Sequence, residues 1–213
     1  MAGFFISFEG PDGAGKSTVI QELMQPLASQ TGQQIVVTRE PGGSAIAEKI
    51  RQIILDVNNQ EMDDWTEALL FAASRRQHLV EVIEPALAAD KIVLCDRFVD
   101  SSVAYQGGGH QLGTDQVAAL NDFAIQGHYP DLTLYLDVPV TVGLQRVQKL
   151  GAGFDRLEGQ KLAFHQRVRD TYQTLLAANP QRMIAVDADR PLALVQQDCL
   201  AIIKEHFQAR NSD

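Results

Sequence analysis

Cysteine is scarce in this chain, with only two in 213 residues. Cys95 and Cys199 lie far apart and follow no metal-binding spacing, which excludes a disulfide framework and a zinc cluster. A reduced, cytoplasmic setting is the simple expectation. Basic residues are outnumbered as well: 18 Lys and Arg stand against 27 Asp and Glu, a net charge of −9. That balance argues against a nucleic-acid backbone as partner. It leaves a phosphorylated small molecule open, because a few local arginines suffice for one. No apolar run reaches the length of a membrane span, and no leader-like segment is apparent, so no membrane association is expected. Repeats, low-complexity tracts and linkers are missing. So is an Asn-Lys-x-Asp segment for reading guanine, which a GTPase switch would need. What remains is ordinary for a globular protein: 45% hydrophobic and 21% charged residues, enough to bury a sizeable core. One domain over residues 1–213 is expected.

One stretch stands out against this background. Gly10-Pro11-Asp12-Gly13-Ala14-Gly15-Lys16-Ser17 fits G-x-x-x-x-G-K-[ST] at every fixed position. A short apolar run, Gly3 to Phe8, precedes it, as a buried strand needs. Val19, Leu23 and Leu27 follow at helical spacing, as do Ile20 and Met24. Strand, loop and helix together turn the pattern into a phosphate-binding P-loop. Its backbone N–H groups and the helix N-terminus face phosphate oxygens. Lys16 is placed for the β- and γ-phosphates and Ser17 for Mg²⁺. Residues Gly10 to Ser17 are thus the expected ATP-binding set.

Strand-like and helix-like stretches then alternate. Strands are expected at Gln33–Thr38, Lys91–Cys95, Leu132–Leu136 and Met183–Val186. Helices are expected from Ile46 to Val57, from Asp64 past Ile83, from Thr114 to Gln126, from Val140 to Val147, from Leu162 to Leu176 and from Leu192 to Phe207. Asp64 with Glu67 has the spacing of a capping box. Pro85 should kink its helix or begin a new turn. Gly151-Ala152-Gly153 is a break. Such alternation implies a doubly wound α/β fold: a five-stranded parallel sheet with helices on both faces. Ligands then lie beyond the carboxyl ends of the strands. Asp12, Arg39-Glu40, Asp96-Arg97, Asp137 and Asp187 all fall there. Of the two apolar runs that end in aspartate, Ile92 to Asp96 is the better metal partner, because Arg97 follows it. Asp137, close before Pro139, reads as a helix start.

A second pocket is also legible. Phe71 and Arg75 share a helix face, offering a ring to stack on a planar acceptor and a guanidinium for its edge. Ser102 and Gln106 share a face if Asp100 to Gln106 is helical, and glutamine presents both donor and acceptor. A P-loop plus an acceptor pocket points to a small-molecule kinase. Kinases for other small acceptors and a non-catalytic nucleotide-binding module are the rival readings.

The motifs Phe8 to Ser17, Thr38-Arg39-Glu40-Pro41-Gly42-Gly43, Leu70 to Arg75, Asp96-Arg97-Phe98, Ala104-Tyr105-Gln106-Gly107 and Pro130 to Leu136 resemble those of the bacterial thymidylate kinases. The similarity spans nearly the whole chain. It implies a nucleoside monophosphate kinase fold, phosphoryl transfer from ATP to dTMP with Mg²⁺, and a homodimer. It implies that Phe71 stacks on thymine, that Arg75, Gln106 and Ser102 read its edge, and that Tyr105 lies under the sugar. Asp12 would hold the 3′-hydroxyl. Arg39 and Arg97 would grip the acceptor phosphate, with Glu40 and Asp96 near the metal, and Arg146 would pack on adenine beside the loop from Asp187 to Pro191.

Two departures follow from the same resemblance. Gly13 occupies the place of a P-loop arginine in eukaryotic relatives, and His110 follows the glycine triplet where many relatives carry arginine. The lid, about residues 149–160, is poor in cations. Among Arg146, Lys149 and Arg156, the expectation falls on Arg156 as the cation on the transferring phosphoryl group, since its planar fork spans two phosphate oxygens. Lys16, Asp12, Arg97 and Arg156 are then the expected catalytic residues.

Overall fold

The computed structural model describes residues 3–150 and 160–210. Strand β1 (Phe4–Glu9) is buried at every position. Its side chains alternate between two cores, as the period of a strand demands. Phe4, Ile6 and Phe8 enter one cluster with Val19, Ile20, Leu23 and Leu27 of helix α1 (Lys16–Thr31). Phe5 enters the other, against Leu79, Ile83 and Phe98. Ser7 and Glu9 share that second side and are fully buried polar groups. Each wholly buried Phe or Leu stabilises the fold by about 1.5–3 kcal/mol, so Phe8→Ala would cost about 3–5 kcal/mol.

The remaining strands are β2 (Ile35–Arg39), β3 (Ile92–Asp96), β4 (Leu132–Asp137) and β5 (Met183–Asp187). They join β1 in one parallel sheet of order β2-β3-β1-β4-β5. The expected five-stranded doubly wound sheet is therefore present. Register aligns the polar strand ends: Arg39 pairs with Asp96 and Asp137 with Asp187. The P-loop leaves β1 at this same edge.

Helix α2 (Ala45–Leu55) packs on α3 (Asp64–His78), which also meets α6 (Thr114–Ile125). The cap of α3 differs from expectation. Asp63, not Asp64, is the N-cap, and its carboxylate accepts from Thr66 N at 3.0 Å. Glu67 is thereby released from a capping role and lies fully buried. After α3 the backbone widens into a π-helical segment, Leu79–Ile83, before α4 (Glu84–Ala88). Pro85 lies in the first turn of α4 and offers no N–H, which accounts for the break. The short helix α5 (Val99–Ser102) runs into a second π-helical segment, Val103–Gly109, so Ser102 and Gln106 do lie on helical backbone. Helix α7 (Val140–Leu150) leads to residues 151–159. The chain returns as α8 (Leu162–Ala178) and closes with α9 (Leu192–Arg210), which packs on α1. Asp137 is not a helix cap: Arg169 of α8 holds it through Nε and Nη2, both at 2.9 Å.

Candidate active site

A cavity of about 870 Å³ opens at the carboxyl edge of the sheet, lined at one end by the P-loop and at the other by Phe71, Arg75, Ser102, Tyr105 and Gln106. It therefore brings together the two pockets legible in the sequence. Arg39, Glu40, Asp96, Arg97, Arg146 and Lys149 line it too. Arg156 and the Gly151 to Gly153 break lie outside the described residues.

The P-loop geometry has a steric cause. Gly13 adopts φ 76°, and a Cβ there would fall 2.1 Å from Gly143 O of α7. Backbone thus packs on backbone, and no side chain fits at position 13 unless α7 shifts. Lys16 Nζ donates to Gly10 O and Pro11 O, each at 3.1 Å. Burial, then the neighbouring Arg97, lowers its pKa to about 8. Ser17 Oγ donates to Asp96 Oδ2 at 2.5 Å, so the loop hydroxyl and the strand carboxylate converge.

Arg97 is the hub between the two ends. Its backbone has φ 70°, a strained conformation for a residue with a side chain, of the kind found at functional sites. Its Nη2 donates to Asp12 Oδ1 at 2.5 Å and Tyr105 OH at 3.0 Å, and its Nη1 to Gly10 O and Ser101 Oγ. Tyr105 OH in turn donates to Asp12 Oδ2 at 2.9 Å. Burial pushes the Asp12 carboxyl up, but Arg97 and Lys16 outweigh it and hold it below the usual carboxylate range.

At the far end Arg75 is 1% exposed. Nε donates to Glu40 Oε2 at 2.7 Å, Nη1 to Ser102 Oγ at 2.9 Å and to Asn121 Oδ1, and Nη2 to Phe98 O at 3.0 Å. One Nη2 hydrogen of its five donors is left for a ligand. Glu40 gives its other oxygen to His78 Nδ1 at 2.9 Å. A metal at Glu40 would have to displace one of these partners, so here the carboxylate anchors Arg75. Gln106 donates through Nε2 to Glu67 Oε1 at 2.8 Å. Arg39, although it lines the cavity, is engaged in a two-bond pair with Glu48 at 2.8 and 3.3 Å.

The nucleotide end is apolar where a base would lie, with Val147, Ala188, Leu192 and Val195 in the wall. Arg146 borders it, donating to Ala188 O at 3.1 Å and Gly13 O at 3.4 Å.

Sequence reasoning missed several residues. Glu9 is fully buried and accepts from Phe98 N at 2.7 Å, Ser101 Oγ at 2.5 Å and Tyr172 OH at 2.9 Å. Burial, then Asp100, raises its pKa to about 7. The available signal was Ser7 and Glu9 at i, i+2 within an apolar strand. Arg51 also lines the cavity and donates to Pro41 O at 2.8 Å. Glu67 was read as a cap, although Glu67, Phe71 and Arg75 form an i, i+4, i+8 row.

Among the described residues, no group of three or more His, Cys, Asp or Glu is placed to hold a metal. Ser17 and Asp96 are nevertheless adjacent hard-oxygen donors, which suits a divalent cation completed by phosphate and water. No helix among the described residues is long and apolar enough to cross a membrane.

Comparison with known proteins agrees with this geometry. The thymidylate kinase family model matches residues 8–199. The thymidylate kinase of Latilactobacillus sakei is 57% identical over 206 residues, 96% of each chain. That of Lacticaseibacillus casei is 56% identical over 209 residues, 97% of this chain and 98% of the relative. A crystal structure of thymidylate kinase from Ehrlichia chaffeensis superposes with a TM-score of 0.76 at 33% identity, covering 96% of this chain and 99% of that one. On sequence and overall structure alike, the chain belongs to the thymidylate kinase family.

Proposed function

We propose that this chain transfers the γ-phosphoryl group of ATP to the 5′-phosphate of dTMP, giving ADP and dTDP. The observation that carries the reading is the shared cavity, in which Arg97 bonds both the P-loop carbonyl of Gly10 and the acceptor-side pair Asp12 and Tyr105. In-line transfer needs donor and acceptor phosphates held in one frame, and positioning with charge neutralisation is most of the catalysis.

Each residue then has a task. Gly10 to Ser17 cradle the donor phosphates, and Lys16 supplies charge to the β- and γ-phosphates. Ser17 and Asp96 would hold Mg²⁺, which neutralises charge on the phosphates when bound. We leave Glu40 out of that set, because Arg75 and His78 occupy it. Arg97 grips the acceptor phosphate, and Arg39 joins it by leaving Glu48. Asp12 accepts from the 3′-hydroxyl, and Tyr105 fills the space a 2′-hydroxyl would need. Phe71 stacks on the base, while Arg75, Ser102 and Gln106 meet its edge. Arg146 packs on adenine. On sequence grounds alone, Arg156 is the lid cation, within one kinase domain that includes a lid at 149–160.

We also propose a homodimer in the cytoplasm, with no nucleic-acid partner. Ile46 and Ile53 of α2, Leu69 of α3 and Phe123 of α6 are exposed, Phe123 to 82%, on three helices packed side by side. An apolar surface of that kind fits a second copy. Light scattering of Phe123→Glu should report monomer where the unaltered chain reports dimer. A monomeric unaltered chain would refute the assignment.

The functional test is ADP release across dTMP, dUMP, dCMP, dGMP and shikimate. Fastest release with dTMP supports the reading. Preference for another acceptor replaces it with a different kinase, and no release with any favours a binding module.

A further inference from the structure

We propose that Glu67 fixes which end of the Gln106 amide faces the acceptor base, and so selects an imide such as thymine over cytosine. The inference rests on dTMP being the acceptor.

The two ends of a glutamine amide are nearly identical in shape, so burial alone does not choose between them. Gln106 is 1% exposed and lines the cavity. Its Nε2 donates to Glu67 Oε1 at 2.8 Å. An ionised carboxylate only accepts, so with Glu67 charged the amino end is directed to it. The reverse orientation would set two acceptors against each other in a buried place, where unpaired polar groups are costly. Oε1 of Gln106 meets no donor among the described residues. It is the end left for a ligand.

Glu67 is itself confined by burial: it is fully enclosed, and His110 Nε2 lies 3.3 Å from its Oε1 without forming a hydrogen bond there. It also stands one helical turn before Phe71 and two before Arg75, so anchor, ring and guanidinium share one face of α3.

The fixed orientation has a chemical consequence. Thymine carries a hydrogen at N3 and an oxygen at C4. Oε1 accepts from the first, and the free Nη2 hydrogen of Arg75 suits the second. Cytosine has a lone pair at N3 and an amino group at C4, so both contacts would reverse sign. Glu67 acts through Gln106 and is therefore a positioning residue.

The test is steady-state kinetics of the full-length enzyme with dTMP and dCMP. Glu67→Gln is nearly isosteric but offers either amide end to Gln106, so both orientations become accessible. The ratio of kcat/KM for dTMP over dCMP should fall about 10-fold, as one buried hydrogen bond would give, with the change mainly in KM. Glu67→Asp keeps an acceptor and should lose a smaller part of the ratio. In a Gln106→Leu background, Glu67→Gln should alter the ratio no further. An unchanged ratio in Glu67→Gln, an equal loss in Glu67→Asp, or an undiminished effect without Gln106 overturns the inference. An unaltered enzyme that does not prefer dTMP to dCMP refutes the acceptor assignment instead.

Discussion

Ser17 Oγ donates to Asp96 Oδ2 at 2.5 Å, joining the first helical turn after the P-loop to the end of the neighbouring strand. Phe8 pairs with Asp96 across β1 and β3, so the sheet fixes the carboxylate and the P-loop brings Ser17 to it. Two hard oxygens so placed define where a divalent cation would meet the donor phosphates. Asp96→Asn should raise the Mg²⁺ concentration needed for half-maximal activity by about 10- to 100-fold. Mg²⁺ titrations of both proteins at saturating ATP would check it. Superimposable curves would remove Asp96 from the metal site.

Lys16 is the second group with a consequence for nucleotide binding. With a pKa lowered to about 8 by burial and by Arg97, it is partly uncharged in the ligand-free protein. Donor phosphates favour the charged form. Binding of ATP at pH 8 should therefore take up about half a proton, measured by calorimetry in buffers of different ionisation enthalpy. Lys16→Ala should abolish the uptake and lower kcat by about 100-fold or more. Uptake that survives the substitution would place the titrating group elsewhere.

Glu9 makes stability depend on pH in the sense opposite to an ordinary paired carboxylate. Its pKa rises from 4.5 to about 7 on folding, by burial and then by Asp100. Between those values the folded chain binds more protons than the unfolded one. The associated stability is complete below pH 4.5 and is lost as pH rises through 7. Glu9→Gln keeps the shape and removes the titration. Denaturation of both proteins at pH 5 and pH 8 should therefore find wild type losing roughly 2–3 kcal/mol relative to Glu9→Gln across the window. A difference that does not change with pH would mean that Glu9 titrates normally.

Particular residues explain how much of this was legible in advance. All five strands were, because each is a short apolar run that stops at a polar residue. The pairing of Phe71 with Arg75 was legible too, since helical spacing alone puts them on one face, and both line the cavity. What one residue type could do in two ways was not. Asp63 and Asp64 are both competent caps, and only backbone geometry selected Asp63, which freed Glu67 for Gln106. Glu40 stood near the metal only by resemblance, and its bonds to Arg75 and His78, 35 and 38 positions away, were not legible at all. Gly13 was legible as a missing arginine, but not its contact with Gly143, which makes the absence a packing requirement.

One cavity, with the P-loop at one end and Phe71 and Arg75 at the other, should align ATP and dTMP for direct transfer. The most direct measurement follows ³²P from [γ-³²P]ATP in the presence of dTMP, with products separated by chromatography. Label should appear in dTDP in step with ADP formation, and Lys16→Ala should slow both equally. Label released as inorganic phosphate at the same rate with or without dTMP would contradict the account.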